Sequence, residues 1–267
     1  MRVGLVQTDP RFGERRRNVD DALALMEPQR ADLWVLPEFF ATGYQFLDSA
    51  EAARLAEPIP EGPTTHDLAA FCRSNDCCIV AGLPEAAPDG TYNSALLVGP
   101  DGFIATYRKI HLFALEKTLF RPGDRPFSVC VARGARVGIM ICFDHLFPES
   151  ARSLALLGAE LLAHPANLVL PEIGQQTMAV RALENGVYAA TANRVGTESR
   201  AGKVLRYTGQ SQIVGPRGEV LARLSADRVE VGIAEIDLAR ARDKSITSHN
   251  DKLADRRPDL YTPPGAA

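Results

Sequence analysis

The chain has 267 residues, 46% hydrophobic and 24% charged, with 30 Lys and Arg against 33 Asp and Glu for a net charge of −3. That apolar content excludes an intrinsically disordered chain, and the near balance of charge argues against a nucleic-acid-binding surface, which carries clustered Lys and Arg on a basic domain. No run approaches the ~18 apolar residues of a membrane span, the opening MRVGLVQTDP is too short in its apolar stretch for a secretory leader, and five Cys at irregular spacing make a poor disulfide framework. The expectation is a reduced, cytoplasmic protein in which a thiol is free to do chemistry.

In chain order, short apolar runs rich in β-branched residues predict strands over 3–7, 33–37, 78–82, 95–98, 103–107, 136–141, 160–164, 188–192, 212–214 and 229–236. Helical spacing lies between many of them. Val19, Leu23 and Met26 mark 14–29, and Leu68 and Phe71 mark 64–74. Pro148 opens 148–157 at a position a helix tolerates, and Asn185-Gly186 stops 172–185. Strands alternating with helices imply an α/β layer fold.

Two segments resemble each other: Ser94-Ala-Leu-Leu-Val-Gly-Pro-Asp-Gly-Phe-Ile-Ala105 and Ser211-Gln-Ile-Val-Gly-Pro-Arg-Gly-Glu-Val-Leu-Ala222. Pro suits the second position of a tight turn and Gly the fourth, so each predicts a β-hairpin. One such hairpin per half points to a pseudo-symmetric two-sheet core, with chance recurrence of a common turn as the alternative. The segment from Arg240 onward is irregular and Pro-rich, and reads as a frayed tail or an arm on a partner subunit.

Three reactive residues share one structural address. Glu38, Lys109 and Cys142 each end a predicted strand, the edge of an α/β sheet where ligands bind. Cys142 sits on a strand-to-helix turn, where backbone N–H groups and a positive helix end favour a thiolate and an oxyanion. Its alternative is a buried core Cys. Glu38, flanked by Pro37, Phe39 and Phe40, suits a general base with a raised pKa; its alternative is a strand-end or helix-cap acid. Lys109 is either a fixed positive charge for the thiol and an oxyanion or an ordinary strand-end Lys. Cys72, Cys77, Cys78 and Cys130 lack such a turn and read as packing, and the Cys72, Cys77, Cys78 spacing does not suit zinc. His111 and His145 are the candidates for a Cys–His dyad, a reading disfavoured against the glutamate. No G-x-G-x-x-G, phosphate loop or serine-hydrolase elbow is present, so no cofactor and no metal are expected.

Taken together, Leu36-Pro-Glu-Phe-Phe-Ala-Thr-Gly-Tyr44, Tyr107-Arg-Lys-Ile-His-Leu-Phe113 and Gly138-Ile-Met-Ile-Cys-Phe-Asp144 with Phe147-Pro-Glu149 resemble the nitrilase superfamily of carbon–nitrogen hydrolases, whose signature is a Glu–Lys–Cys triad. Phe120-x-Pro-Gly-Asp124, His164-Pro-Ala-Asn167, Arg181-Ala-Leu-Glu-Asn185 and Asn193-Arg-Val-Gly196 extend the likeness over residues 3 to about 261. The resemblance implies a four-layer αββα sandwich of two mixed sheets flanked by helices. It also implies a single domain over 1–240, a C-terminal arm over 241–267, and a homodimer or higher oligomer.

The implied chemistry is acyl transfer through a Cys142 thioester. Glu38 serves as base, and Lys109 with the Phe143 N–H holds the oxyanion. Glu116 matches the second Glu of many members; without the family it would read as an exposed acid beside Lys117 or Arg121. Tyr44, Phe113, Phe143, His145, Leu146 and Asn167 are the pocket candidates, with core packing as the alternative for the aromatics. Leu146 stands where many members carry Arg, which argues for a less charged pocket. The substrate is expected to be a small amide. A nitrile is the alternative, disfavoured because Phe143-Asp144 follows the Cys rather than Trp-Glu. An N-carbamoyl amine, an acyltransferase reaction and a binding-only role are weaker readings.

Overall fold

The computed structural model describes residues 1–261. The strands are β1 (Arg2–Gln7), β2 (Leu33–Val35), β3 (Cys78–Ala87), β4 (Gly90–Gly99), β5 (Gly102–Arg108), β6 (Val129–Ala132), β7 (Ala135–Ile139), β8 (Leu161–Pro165), β9 (Tyr188–Ala192), β10 (Thr197–Arg200), β11 (Lys203–Arg206), β12 (Gln212–Val214), β13 (Val220–Arg223) and β14 (Glu230–Glu235). The helices are α1 (Arg15–Met26), α2 (Ser49–Leu55), α3 (Pro63–Asn75), the single turn α4 (Glu116–Leu119), α5 (Pro148–Leu156), α6 (Ile173–Asn185) and α7 (Leu238–Arg242).

Two six-stranded sheets form, in the orders β14-β1-β2-β3-β4-β5 and β13-β12-β9-β8-β7-β6. In the first, β1, β2 and β3 are parallel, while β4 and β5 return antiparallel. In the second, β7, β8 and β9 are parallel, and β12 and β13 return antiparallel. The two Gly-Pro-x-Gly hairpins therefore close equivalent edges, as a pseudo-symmetric core requires. Each turn ends on a glycine of positive φ, Gly102 at 110° and Gly218 at 81°.

The sheets pack face to face. Val3, Leu5, Val35, Val80 and Leu97 from the first meet Val137, Ile139, Leu161, Ala163 and Ala190 from the second. On the outside, Val19, Met26, Leu68 and Cys72 of α1 and α3 cover Trp34, Ile79 and Leu96. Leu154, Met178 and Ala182 of α5 and α6 cover Leu162, Ala189 and Val214. Strands buried on both faces need near-continuous apolar sequence, which is why they were legible as runs. The result is the αββα sandwich.

Past the sandwich, α7 spans the boundary placed at residue 240, so that division falls inside an element. Ser245–Thr247 and Asn250–Asp251 pair as a small hairpin. Lys244 and Lys252 donate to the carbonyls of Gly186 and Leu183, laying this stretch on the chain's own body. The rest of the proposed arm, 262–267, lies outside the described residues. No helix among the described residues is long and apolar enough to cross a membrane.

Candidate active site

Glu38 follows β2, Lys109 follows β5, and Cys142 opens a one-turn 3-10 helix (Cys142–Leu146) after β7. β5 runs parallel to β3 through two antiparallel pairings, so the chain leaves β2 and β5 at one edge of the first sheet. The second sheet brings Cys142 to the same end of the sandwich. All three residues are buried, and Glu38 and Lys109 completely so.

The Lys109 ammonium lies 2.7 Å from Glu38 Oε1 and 2.8 Å from Glu116 Oε2. Burial lowers its proton affinity; the facing carboxylates of Glu116 and Glu38 outweigh burial and hold Lys109 protonated. Glu116 is thus buried rather than an exposed partner of Lys117 or Arg121. It also accepts from the Tyr44 hydroxyl at 2.6 Å and from the Phe113 N–H at 3.2 Å.

Glu38 Oε1 takes a second donor, Asn93 Nδ2, at 2.7 Å. Its other oxygen, Oε2, is buried with no hydrogen-bond partner. Burial raises the Glu38 pKa above the ordinary carboxylate value; Lys109 pulls it down, and Glu116 pushes it up again. Two carboxylates around one ammonium leave an excess negative charge, so Glu38 has a heightened affinity for a proton. The backbone here requires Gly82: a Cβ there would stand 2.6 Å from Glu38 Cα.

Cys142 adopts φ 40°, a strained value for a residue with a side chain. Burial pushes its thiol pKa well up, and the Glu38 carboxylate pushes further; Lys109 opposes both, as does a hydrogen bond from the Asn167 backbone N–H. Burial and the facing carboxylates therefore favour the thiol over the thiolate. Asn167 joins the two halves, since its Nδ2 also donates to the Glu38 carbonyl at 2.8 Å.

Asp144 is a positioning residue the sequence reading left unassigned. Its buried carboxylate accepts from the Ile141 N–H at 2.8 Å, the Tyr107 hydroxyl at 2.8 Å and His111 Nδ1 at 2.7 Å. It therefore ties the Cys142 turn to the segment that carries Lys109. A carboxylate two residues after the thiol, at the start of a tight turn, was the available signal. Asn93 was also missed; a lone Asn opening the apolar run 94–98 was its only mark.

Neither candidate histidine faces the thiol as a base. His111 bonds Asp144 and stacks on Phe147 at 3.7 Å. His145 meets Thr177 at 2.6 Å, and burial lowers its pKa to about 3. His164, also desolvated, falls to about 4, and its Nε2 lies 2.9 Å from the Cys142 carbonyl oxygen. A neutral ring donating from Nε2 fits that contact. The four other cysteines are free: Cys72, Cys77 and Cys78 are buried and Cys130 is half-buried. Among the described residues, no group of three or more His, Cys, Asp or Glu side chains is arranged to hold a metal ion.

A small cleft beside Cys142 is lined by Phe113, Phe143, His145, Leu146, Asn167 and Leu168, among others. Five of the six pocket candidates lie on it. Tyr44 lies on an adjoining chamber with Phe113 and Glu116.

The carbon-nitrogen hydrolase family model matches residues 2–244. The chain belongs to the carbon–nitrogen hydrolase family. It is 48% identical over 264 residues to a nitrilase of Pyrococcus abyssi, covering 98% of this chain and 99% of that one. A carbon-nitrogen hydrolase from Helicobacter pylori G27 superposes with a TM-score of 0.88 at 28% identity, covering 98% of this chain and 97% of the other. A glutamate-to-glutamine variant of the amidase from Nesterenkonia sp. AN1, with acrylamide added to its active-site cysteine, gives 0.75 at 28% identity, covering 91% of this chain and 96% of the other. This carbon–nitrogen hydrolase thus shares its fold with enzymes named for amides, and its sequence with one named for nitriles.

Proposed function

We propose that this carbon–nitrogen hydrolase converts small primary amides to a carboxylic acid and ammonia through a thioester on Cys142. One observation carries the reading. A buried cysteine on a strained turn shares its site with a buried glutamate whose Oε2 has no hydrogen-bond partner. A thiol needs a base to become a nucleophile, and a desolvated carboxylate supplies one near neutral pH.

Glu38 takes the Cys142 proton as sulfur attacks the amide carbon. The carbonyl π electrons move to oxygen, and Lys109 with the Phe143 N–H holds that oxyanion. Glu38 returns the proton to nitrogen, the C–N bond breaks and ammonia leaves. Water then attacks the thioester, giving a proton to Glu38, and the C–S bond breaks. The acid departs, and Glu38 reprotonates the sulfur. Glu116 and Tyr44 keep Lys109 charged and aimed, while His145 and Leu146 shape the cleft.

Nitrile hydrolysis by the same residues is the second reading, favoured by the identity to the Pyrococcus abyssi nitrilase. The enzyme works in a reducing compartment as a homodimer. The homodimer is supported by exposed Leu156, Leu157, Val180 and Leu183 on one outer helix layer. Ammonia release across short amides, carbamoyl amines and nitriles, with Cys142→Ala as control, tests the reading. Release from amides by wild type alone supports it; release from nitriles only, or activity in the variant, overturns it.

A further inference from the structure

A chamber of about 320 Å³ adjoins the Cys142 cleft, bounded by loop 44–47, segment 113–119 and the β10–β11 hairpin. Phe113 and Val169 line both spaces, so the two are immediate neighbours. Most of its remaining wall is apolar: Phe46, Leu47, Leu115, Leu119 and Leu205. Leu47 and Leu115 are 54% and 52% exposed at its edge, apolar surface that an apolar ligand would remove from water.

Its walls are pinned. Glu198, on β10, accepts from the Gln45 N–H at 2.7 Å and the Tyr44 N–H at 3.1 Å, and pairs with buried Arg194 at 2.6 Å. Arg200 pairs with Glu51 at 2.8 Å and donates to the Gln45 carbonyl at 2.8 Å. The hairpin and the Tyr44 loop therefore stand as one rigid frame, the pre-formed condition of a ligand site. The chamber's charges are unsuited to a cationic guest. Glu116 is already held by Lys109 and Tyr44, Arg200 is held by Glu51, and exposed Lys203 stands on the lining.

We propose that this chamber is the acyl pocket, and that the enzyme selects amides whose acyl group is an uncharged aliphatic or arylalkyl chain. The inference rests on the amide reading above: when ammonia is the leaving group, the bulk of the substrate is the acyl side. Leu146, apolar at the neighbouring cleft, fits the same guest.

The test is kcat/KM of the full chain for acetamide, butanamide, hexanamide and phenylacetamide, and for hexanamide analogues ending in an ammonium group. Each methylene seated raises kcat/KM about three- to fourfold, and the ammonium end lowers it at least about tenfold relative to hexanamide. Leu205→Asp, on the hairpin, and Leu115→Asp, at an exposed position, each reduce the hexanamide-to-acetamide ratio about tenfold. A flat series with Cys142-dependent acetamide turnover overturns the acyl pocket and leaves the amide reading intact. If nitriles alone are turned over, the amide reading fails, and the same chain-length series of nitriles decides the pocket. Calorimetric Kd values of the amides for Cys142→Ser supply the series without turnover: tightening with chain length supports the pocket, and uniform values contradict it.

Discussion

In the first sheet, β1, β2 and β3 run parallel and a Gly-Pro-x-Gly hairpin carries the return; in the second, β7, β8 and β9 do the same with their own hairpin. The residues beyond corresponding strands differ. Glu38 lies after β2, whereas neutral Asn167 lies after β8. Lys109 lies after β5, whereas Leu224 and Ser225 lie after β13. Cys142 lies after β7, whereas Thr8 and Asp9 lie after β1. The first half thus supplies the Glu38, Lys109 and Glu116 charge cluster, and the second supplies the nucleophile, with Asn167 and two histidines held unprotonated nearby. Symmetry of the backbone sets where side chains converge; it does not set what they are.

Removing the second half's contribution should have the largest effect. Cys142→Ala is expected to lower kcat by at least about a thousandfold with little change in thermal midpoint, read by ammonia assay and calorimetry. The first half's base comes next. Glu38→Gln keeps an acceptor for Lys109 and Asn93 but cannot take a proton. Acylation should slow by about 10²- to 10⁴-fold in single-turnover experiments. An unchanged rate removes Glu38 from its role.

Lys109→Met probes the charges as a set. It leaves Glu38 and Glu116 facing each other without a cation, and should cost about 3–5 kcal/mol in denaturant unfolding at pH 7. Part of that loss should return on acidification, as the pair takes up a proton. The buried histidines of the second half show the opposite dependence. His164 and His145 have folded pKa values depressed to about 4 and about 3, so the unfolded chain binds more protons below its own histidine value near 6.5. Stability should be fully present above that pH and fall as pH drops from about 6.5 toward 4. The loss from His164 alone is on the order of 3 kcal/mol. A His164→Gln variant should flatten that slope. The smallest effect is expected of Tyr44→Phe, which removes one hydrogen bond to Glu116: about 1 kcal/mol of stability and a modest fall in kcat.

Much of this comparison was legible in the sequence. Buried strands announce themselves as apolar runs, the hairpins by Gly-Pro-x-Gly, and the reactive residues by ending those runs. Segments without apolar runs were not legible. The hairpin Thr197–Arg206 reads as polar loop, because most of its residues face solvent and it is anchored through the polar side chains of Glu198 and Arg200. β6 and α2 are short edge elements, and their identity comes from what they pack against. Glu116 and Asp144 are acids in loop or single-turn segments, and only the converging chain shows them buried. The family motif pointed to Glu116; nothing local did so for Asn93.

The account's central claim is that a Cys142 thiol, deprotonated by Glu38, carries the acyl group. The most direct measurement is intact mass after rapid acid quench during turnover of a slowly hydrolysed amide. Wild type should show a mass increase equal to the acyl group, mapped by peptide sequencing to Cys142. Glu38→Gln should show at most a slow build-up, and Cys142→Ala none. Turnover with no adduct at any time under conditions where deacylation limits the rate, or an adduct on another residue, would contradict it.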